Sequence, residues 1–306
     1  MVPLTWPVQA PSPDDMRWLS VEDASAVGGL PRHARQGSML LQVNRGAERP
    51  GVDMVTIDAG PGLPDVGAAL RDGHSTAGSL GIGLGAIRRL ADVSDLYSTP
   101  GHGTALLARF WPVPGPPVIR CAGLVRPISG EAVCGDAFGA VRTDDAVTVV
   151  LADGLGHGPL AAAASAEAMA AVLAGPAGEP AALLERVHRR MSGTRGGAVA
   201  IVQVCGQVAR FAGLGNVAGF ILSADGRKSM LSVPGIAGYQ ARAFRQFDYE
   251  VPPGAAVILH SDGISSRWEV AAVPGVQTKD PLLIAAVLLA EAGIHRDDAG
   301  VVVLTT

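Results

Sequence analysis

Two aspartates set on facing strands constrain this chain more than any other feature in it. Gly135-Asp136-Ala-Phe-Gly and Leu151-Ala-Asp153-Gly154-Leu-Gly-His157-Gly are separated by two apolar runs and the turn Thr143-Asp144-Asp145-Ala146. If Asp144 and Asp145 form a two-residue hairpin loop, paired position numbers add up to 289, as 144 and 145 do. The same is true of 136 and 153, so Asp136 faces Asp153. Side chains in such a pair have Cβ atoms roughly 4.5–5.5 Å apart. Two carboxylates held that close repel each other unless a cation lies between them. The register also places Phe138 with Leu151 and Ala140 with Val149 on one face, so the pair ends an apolar ladder.

Two further acidic sites repeat the arrangement. The apolar run 255–260 ends in Ser261-Asp262-Gly263, and Val301–Thr305 begins just after Asp297-Asp298. If these runs are antiparallel neighbours, four strand-terminal aspartates reach one mouth. Any single Asp-Gly is most often a turn, and Asp225-Gly226 is read that way. Four at matching strand ends require four separate coincidences. Oxygen ligands without Cys or His partners favour magnesium or manganese over zinc, and a divalent pair roughly 3.5–4 Å apart suits such a set.

The rest of the composition narrows the options. With 306 residues, 48% of them apolar and 17% charged, the chain is long enough for two domains with sizeable cores. Net charge is −4, and neither half is basic, which argues against a nucleic-acid partner or an anionic membrane. Cys121, Cys134 and Cys205 form no CxxC and are read as buried free thiols. The N-terminus has no basic flank followed by an apolar run, and the most apolar stretch, Leu282–Leu289, is far short of a bilayer span. A soluble, cytoplasmic protein is expected.

The proline run WPVPGPPV cannot be helix or central strand and marks a linker at 112–117. Residues 1–17 are expected to be flexible, with one domain over 18–111 and a second over 118–306. In the first, Asp53–Asp58 reads as a strand, followed by a Gly-rich loop and an amphipathic helix from about Gly81 to Ala91. Strands follow near Leu96 and at Thr104–Phe110. In the second, Leu160–Leu173 and Ala181–Met191 read as helices. Antiparallel strands are expected at 198–204, 207–214, 219–223 and 229–233. Strands in runs with two helices between them indicate an α+β layered fold.

GDAFG, ADGLGHG, HSDGISS and RDDAGVVVL together resemble the ordered motifs of SpoIIE/RsbX-type serine/threonine phosphatases, a branch of the protein phosphatase 2C-like family. The resemblance covers residues 118–306. It implies an αββα sandwich with a dinuclear Mn2+ or Mg2+ centre. Carried over by motif, Asp136, Asp153, Asp262 and Asp297 bind the metals, with the Gly154 carbonyl as a further ligand, while Asp298 is the companion of the DD pair. His157 either protonates the leaving serine oxygen or is a surface residue at a helix end. Gly300 stands where the family more often has Thr.

In the N-terminal half, IDAGPGLPD, GSLGIGLGAIRRL and GHGT resemble the nucleotide-binding boxes of GHKL-type (Bergerat) ATPases, especially RsbT-like anti-sigma kinases. By motif, Asp58 would read an adenine amine and Gly60 and Gly62 would shape the pocket. Gly81, Gly83 and Gly85 would face phosphates at a helix start, and Thr104 closes the last box. The resemblance implies an ATP site in a small, incomplete α/β sandwich. The family's Glu-x-x-x-Asn box is missing, and Asn44 reads as a turn residue, so the domain is degenerate. The implied partner is a phosphorylated STAS-domain protein or another anti-sigma pathway component. Two other readings stand beside this one: a catalytically silent docking scaffold, and a bifunctional kinase–phosphatase.

Overall fold

The computed structural model describes residues 8–20, 37–44, 50–69, 83–112, 120–174 and 177–306. The first half contains strands β1 (Val8–Gln9), β2 (Met16–Ser20), β3 (Gly37–Asn44) and β4 (Gly51–Asp58), then helices α1 (Val66–Ala69) and α2 (Gly83–Leu90), then β5 (Val93–Thr99) and β6 (Gly103–Phe110). The second half begins with β7 (Cys121–Arg126), the hairpin β8 (Asp136–Arg142) and β9 (Val147–Gly154), and helices α3 (Pro159–Leu173) and α4 (Pro180–Arg190). Strands β10 (Gly197–Cys205), β11 (Val208–Leu214), β12 (Ala218–Ser223), β13 (Gly226–Met230), β14 (Ser232–Val233), β15 (Phe247–Glu250) and β16 (Ala256–His260) follow. Helix α5 (Pro281–Ala292) and β17 (Ala299–Thr305) complete the chain.

The strands make three sheets. One has the order β1-β8-β9-β10-β11-β14, with β15 also on β11; the second runs β13-β12-β16-β17-β7; the third, N-terminal, runs β2-β3-β4-β6-β5. The first two lie face to face, because alternate residues of each point inward: Phe138, Val149, Leu151 and Val202 meet Val257, Leu259, Val302 and Leu304. The opposite faces are also apolar. Val150, Ala152, Val199 and Ile201 pack under α3 and α4, and Ala256, Ile258, Val301 and Val303 pack under α5. Strands buried on both faces must be apolar throughout, which explains the unbroken runs TVVLA and VVVL. Helices on both outer faces of two packed sheets make the α+β, αββα sandwich expected from the motifs.

Each of α3, α4 and α5 opens with proline at its first turn, where the missing N–H is no loss. Asp280 caps α5, its carboxylate accepting from Leu282 N at 2.9 Å. Helix α5 is apolar around its whole circumference, so it needs cover on every side. The second sheet covers one side, and the N-terminal sheet covers the other through Leu40, Val55, Tyr97, Ala105 and Leu107.

Several expectations are corrected. Residues 8–17 are not a loose lead: Val8 pairs with Ala140, Gln9 with Gly139, and Met16 opens a strand on β3. The run 229–233 does not continue as one strand. Met230 ends a hairpin arm on β12, Leu231 is exposed, and Ser232–Val233 joins β11 in parallel. Asn44 is the last residue of β3, with its amide on Asp53, rather than a turn residue. Strands β7 and β15 had not been anticipated. The three thiols are free, but only Cys121 is fully buried, and Cys205 is exposed. Of the proline linker 112–117, residues 113–117 lie outside the described residues.

Candidate metal centre

The hairpin register is the one the position numbers require: Asp136 pairs with Asp153, Phe138 with Leu151 and Ala140 with Val149, closed by Thr143 N on Ala146 O at 2.9 Å. Strands β16 and β17 are antiparallel neighbours, with His260 opposite Val301. Asp262 therefore leaves one strand at the edge where Asp297 and Asp298 enter the next. The four aspartates influence one another electrostatically. Burial, then Asp153, pushes the Asp136 carboxyl well above its ordinary value. Burial, then Asp262, Asp297 and Asp298, pushes Asp153 up to about 7. Burial, then Asp262, raises Asp297.

The residues differ in what holds them. Asp136 is 4% exposed; its Oδ2 accepts the Ser261 hydroxyl at 2.6 Å, while the buried Oδ1 has no hydrogen-bond partner. A buried carboxylate oxygen without a donor is costly, and a cation in front of Asp153 would relieve it. Asp262 accepts from the Asn216 amide at 2.8 Å. Asp297 Oδ1 accepts the Asp298 N–H at 2.9 Å. Asp298 has a different task. At 2% exposed, it takes Ile128 N at 2.7 Å on one oxygen and Gly135 N at 2.8 Å on the other, clamping the loop that carries Asp136.

Glycines allow the close approach. A Cβ on Gly135 would stand 2.8 Å from both Asp298 Oδ2 and the Ala161 Cβ. One on Gly300 would press to 3.1 Å from Asp136 Cβ and Oδ2. Gly300 N instead donates to Ser261 Oγ at 2.9 Å, so this hydroxyl joins β17 to Asp136. Gly154 ends β9, with its N–H on Gly135 O at 3.2 Å. Gly156 and Gly158 have φ of 90° and 72°, which turns the chain into α3. His157, between them and 57% exposed on its side chain, meets Glu131 Oε1 through Nδ1 at 2.9 Å.

Sequence reasoning passed over Ser261, Asn216 and Glu131. Ser261 adjoins Asp262 and so had a local signal; Glu131 reaches His157 only through the fold. Because Ser261 orients one oxygen of Asp136 and satisfies a buried N–H, Ser261→Ala is expected to weaken Mn2+ binding about 10-fold or more, as outer-shell losses commonly do. A calorimetric Mn2+ titration of the variant checks this, and an affinity equal to wild type would remove Ser261 from the centre.

The nucleotide-box residues are only partly gathered. Asp58 and Thr104 are paired across β4 and β6, and Gly60 N donates to Asp58 Oδ1 at 2.7 Å. Gly62, with φ of 73°, packs on Thr99. Gly83 and Gly85 lie within α2, and Gly81 lies outside the described residues.

Comparison with known proteins agrees with this architecture. Residues 143–306, just over half of the chain, match the family model of stage II sporulation protein E (SpoIIE). The serine/threonine-protein kinase RsbT of Bacillus subtilis (strain 168) is 35% identical over 79 residues, 26% of this chain and 59% of RsbT, so the chain spans less than two thirds of that relative. The phosphoserine phosphatase RsbX of the same organism is 28% identical over 141 residues, 44% of this chain and 70% of RsbX. A crystal structure of RsbX in complex with magnesium shares the fold, with a TM-score of 0.50 and 22% identity over 61% of this chain and 96% of that one. A chain from a structure of the bacterial stressosome, described as a modular system adapted to control secondary messenger signalling, matches at TM-score 0.54 and 28% identity over 60% of this chain and 97% of its own. The chain belongs to the SpoIIE family, and its second half is similar to the phosphoserine phosphatase RsbX.

Proposed function

We propose that the chain hydrolyses phosphoserine or phosphothreonine on a partner protein, using two divalent cations, Mn2+ or Mg2+, held by Asp136, Asp153, Asp262 and Asp297 with the Gly154 carbonyl. The observation that carries this reading is the buried Asp136 Oδ1, left without a partner opposite Asp153. Among the described residues no three His, Cys, Asp or Glu side chains close on a single point. The proposed donors are all oxygens, carboxylates and one carbonyl, which suits hard cations such as magnesium or manganese. Bound there, such cations supply a water of lowered pKa and polarise phosphoryl oxygens.

The chain's own groups have definable tasks. Ser261 bonds Asp136 Oδ2 at 2.6 Å and Asp298 holds the preceding loop through Ile128 N at 2.7 Å and Gly135 N at 2.8 Å, so the ligand is oriented before any cation arrives. Glu131 engages His157 Nδ1, which leaves Nε2 to exchange a proton with the departing serine or threonine oxygen. Arg195 is exposed, and its Nη1 would lie 3.2 Å from a Cβ on Gly156, which puts a guanidinium at the rim for an incoming phosphate. The substrate suggested by the RsbT-like and RsbX-like halves is a phosphorylated STAS-domain or related anti-sigma pathway protein. No described helix is long and apolar enough to cross a membrane.

The direct test is hydrolysis of p-nitrophenyl phosphate, and then of a phosphorylated STAS-domain protein, with Mn2+ and with EDTA. Turnover that requires the metal is the expected result. No turnover on either substrate would overturn the enzymatic reading and favour a docking scaffold.

A further inference from the structure

We infer that the N-terminal sheet is a positioning element of the metal centre: it acts through α5, and Arg109 is its principal contact. This rests on the metal-centre reading above. The argument begins at the far end of α5. Beyond Ala292, Ser265 N donates to Ala292 O at 2.8 Å and Ile294 N to Gly263 O at 2.7 Å, with an Ile264–Gly293 bridge between them. Arg126 adds a bond from its guanidinium to Ile294 O at 2.7 Å. The residues directly after Asp262 are thus stitched to the C-terminal end of α5, and five residues beyond Ala292 the chain reaches Asp297. A shift of α5 along or about its axis moves the supports of both ligands together.

The N-terminal sheet holds the opposite end of the helix. Asp280, the α5 cap, receives both terminal nitrogens of Arg109, while Arg109 Nε bonds Asp53 at 3.1 Å. Asp53, Arg109 and Asp280 are 1%, 2% and 14% exposed on their side chains. Asp53 is further held by Asn44 at 3.1 Å. Asp95 adds Lys279 at 3.1 Å and the Asp280 N–H at 3.0 Å, and Tyr97 donates to Pro274 O at 3.2 Å. Near the other end of α5, His102 from the GHGT turn meets Glu291 at 3.2 Å. These polar contacts flank the apolar packing of Val55, Tyr97, Ala105 and Leu107 on α5. Directional bonds at both helix ends define its axial position in a way that apolar burial alone does not.

The test uses the full chain. In Asp53→Asn with Arg109→Met, the buried pair is removed without leaving Asp53 charged. Mn2+ affinity by calorimetry is expected to fall about 10-fold or more, as for outer-shell changes, with kcat at saturating Mn2+ within about 3-fold. Leu184→Ala, which opens the core beneath α4, serves as a control that lowers stability without touching α5, and it should keep wild-type Mn2+ affinity. A folded double variant with wild-type affinity would overturn the inference. Should the double variant not fold, Asp95→Ala tests the same helix end at a half-buried site: weakened Mn2+ binding supports the inference and unchanged binding overturns it. Failure of the metal-centre reading itself would show differently, as wild-type protein that binds no Mn2+.

Discussion

Asp153→Asn is expected to lower metal-dependent turnover by about 10²–10³-fold, the scale set by losing one preorganised electrostatic group at a reacting centre, while making the metal-free protein more stable. The two effects have one cause. Burial and the neighbouring Asp262, Asp297 and Asp298 hold the Asp153 carboxyl up at about 7 in the folded chain, against an ordinary value of 3.8. Below about pH 4 the group is protonated in both folded and unfolded chains and costs nothing. As pH rises from there to about 7 the unfolded chain releases its proton and the folded chain keeps it, so metal-free stability falls. Above 7 the full penalty of a crowded buried carboxylate persists. Asn removes that charge and keeps the shape, so melting curves without metal should rise most for the variant at pH 8 and converge with wild type near pH 4. A variant that retains Mn2+-dependent turnover would remove Asp153 from the ligand set.

The hairpin was legible because its information is local. A two-residue loop and a period of two determine which residues face each other, and Asp136 with Asp153 followed from arithmetic. The second pair of aspartates needed only the assumption that β16 and β17 are neighbours. What escaped depends on side chains that meet through the fold. Asp298 sits in the same DD pair as Asp297, yet its two backbone hydrogen bonds, to Ile128 and Gly135, turn it from a ligand into a clamp. No spacing rule distinguishes the two. The apolar stretch Leu282–Leu289 is too short for a membrane, and a helix apolar on every side requires two covering layers. The second of those layers is the N-terminal sheet, and Arg109, which reads as an ordinary strand-end cation, is the residue that ties it to Asp280. The strand boundary at 230–232 was missed because Ser-Met-Leu-Ser-Val holds no Gly or Pro to mark a break; the exposed Leu231 reflects a change of sheet, which is a tertiary event.

Metal removal should have the second large effect, on stability as well as activity. Four aspartates in mutual repulsion are tolerated in the folded chain either by taking up protons or by binding cations. Protons and cations therefore compete, and the outcome depends on pH. At pH 6, Asp153 is largely protonated, since its value is about 7, and a cation must displace that proton to bind. At pH 8 the proton is already gone and the uncompensated charge is at its most unfavourable. Stabilisation by Mn2+ or Mg2+ is thus expected to grow from pH 6 to pH 8. At 100 times the dissociation constant it should reach about 2.7 kcal/mol, or about 4 °C in melting temperature for a chain of this size. EDTA should return the melting curve to its metal-free position and abolish turnover. In Asp153→Asn the same titration should show weaker stabilisation with a flatter pH dependence, because the group that exchanges its proton for the cation is gone. Equal stabilisation of both proteins at pH 6 and pH 8 would mean that the cation binds elsewhere. Orphaned Asp136 Oδ1 would then need another partner, and the pairing of Asp136 with Asp153 would be a structural feature without a catalytic role.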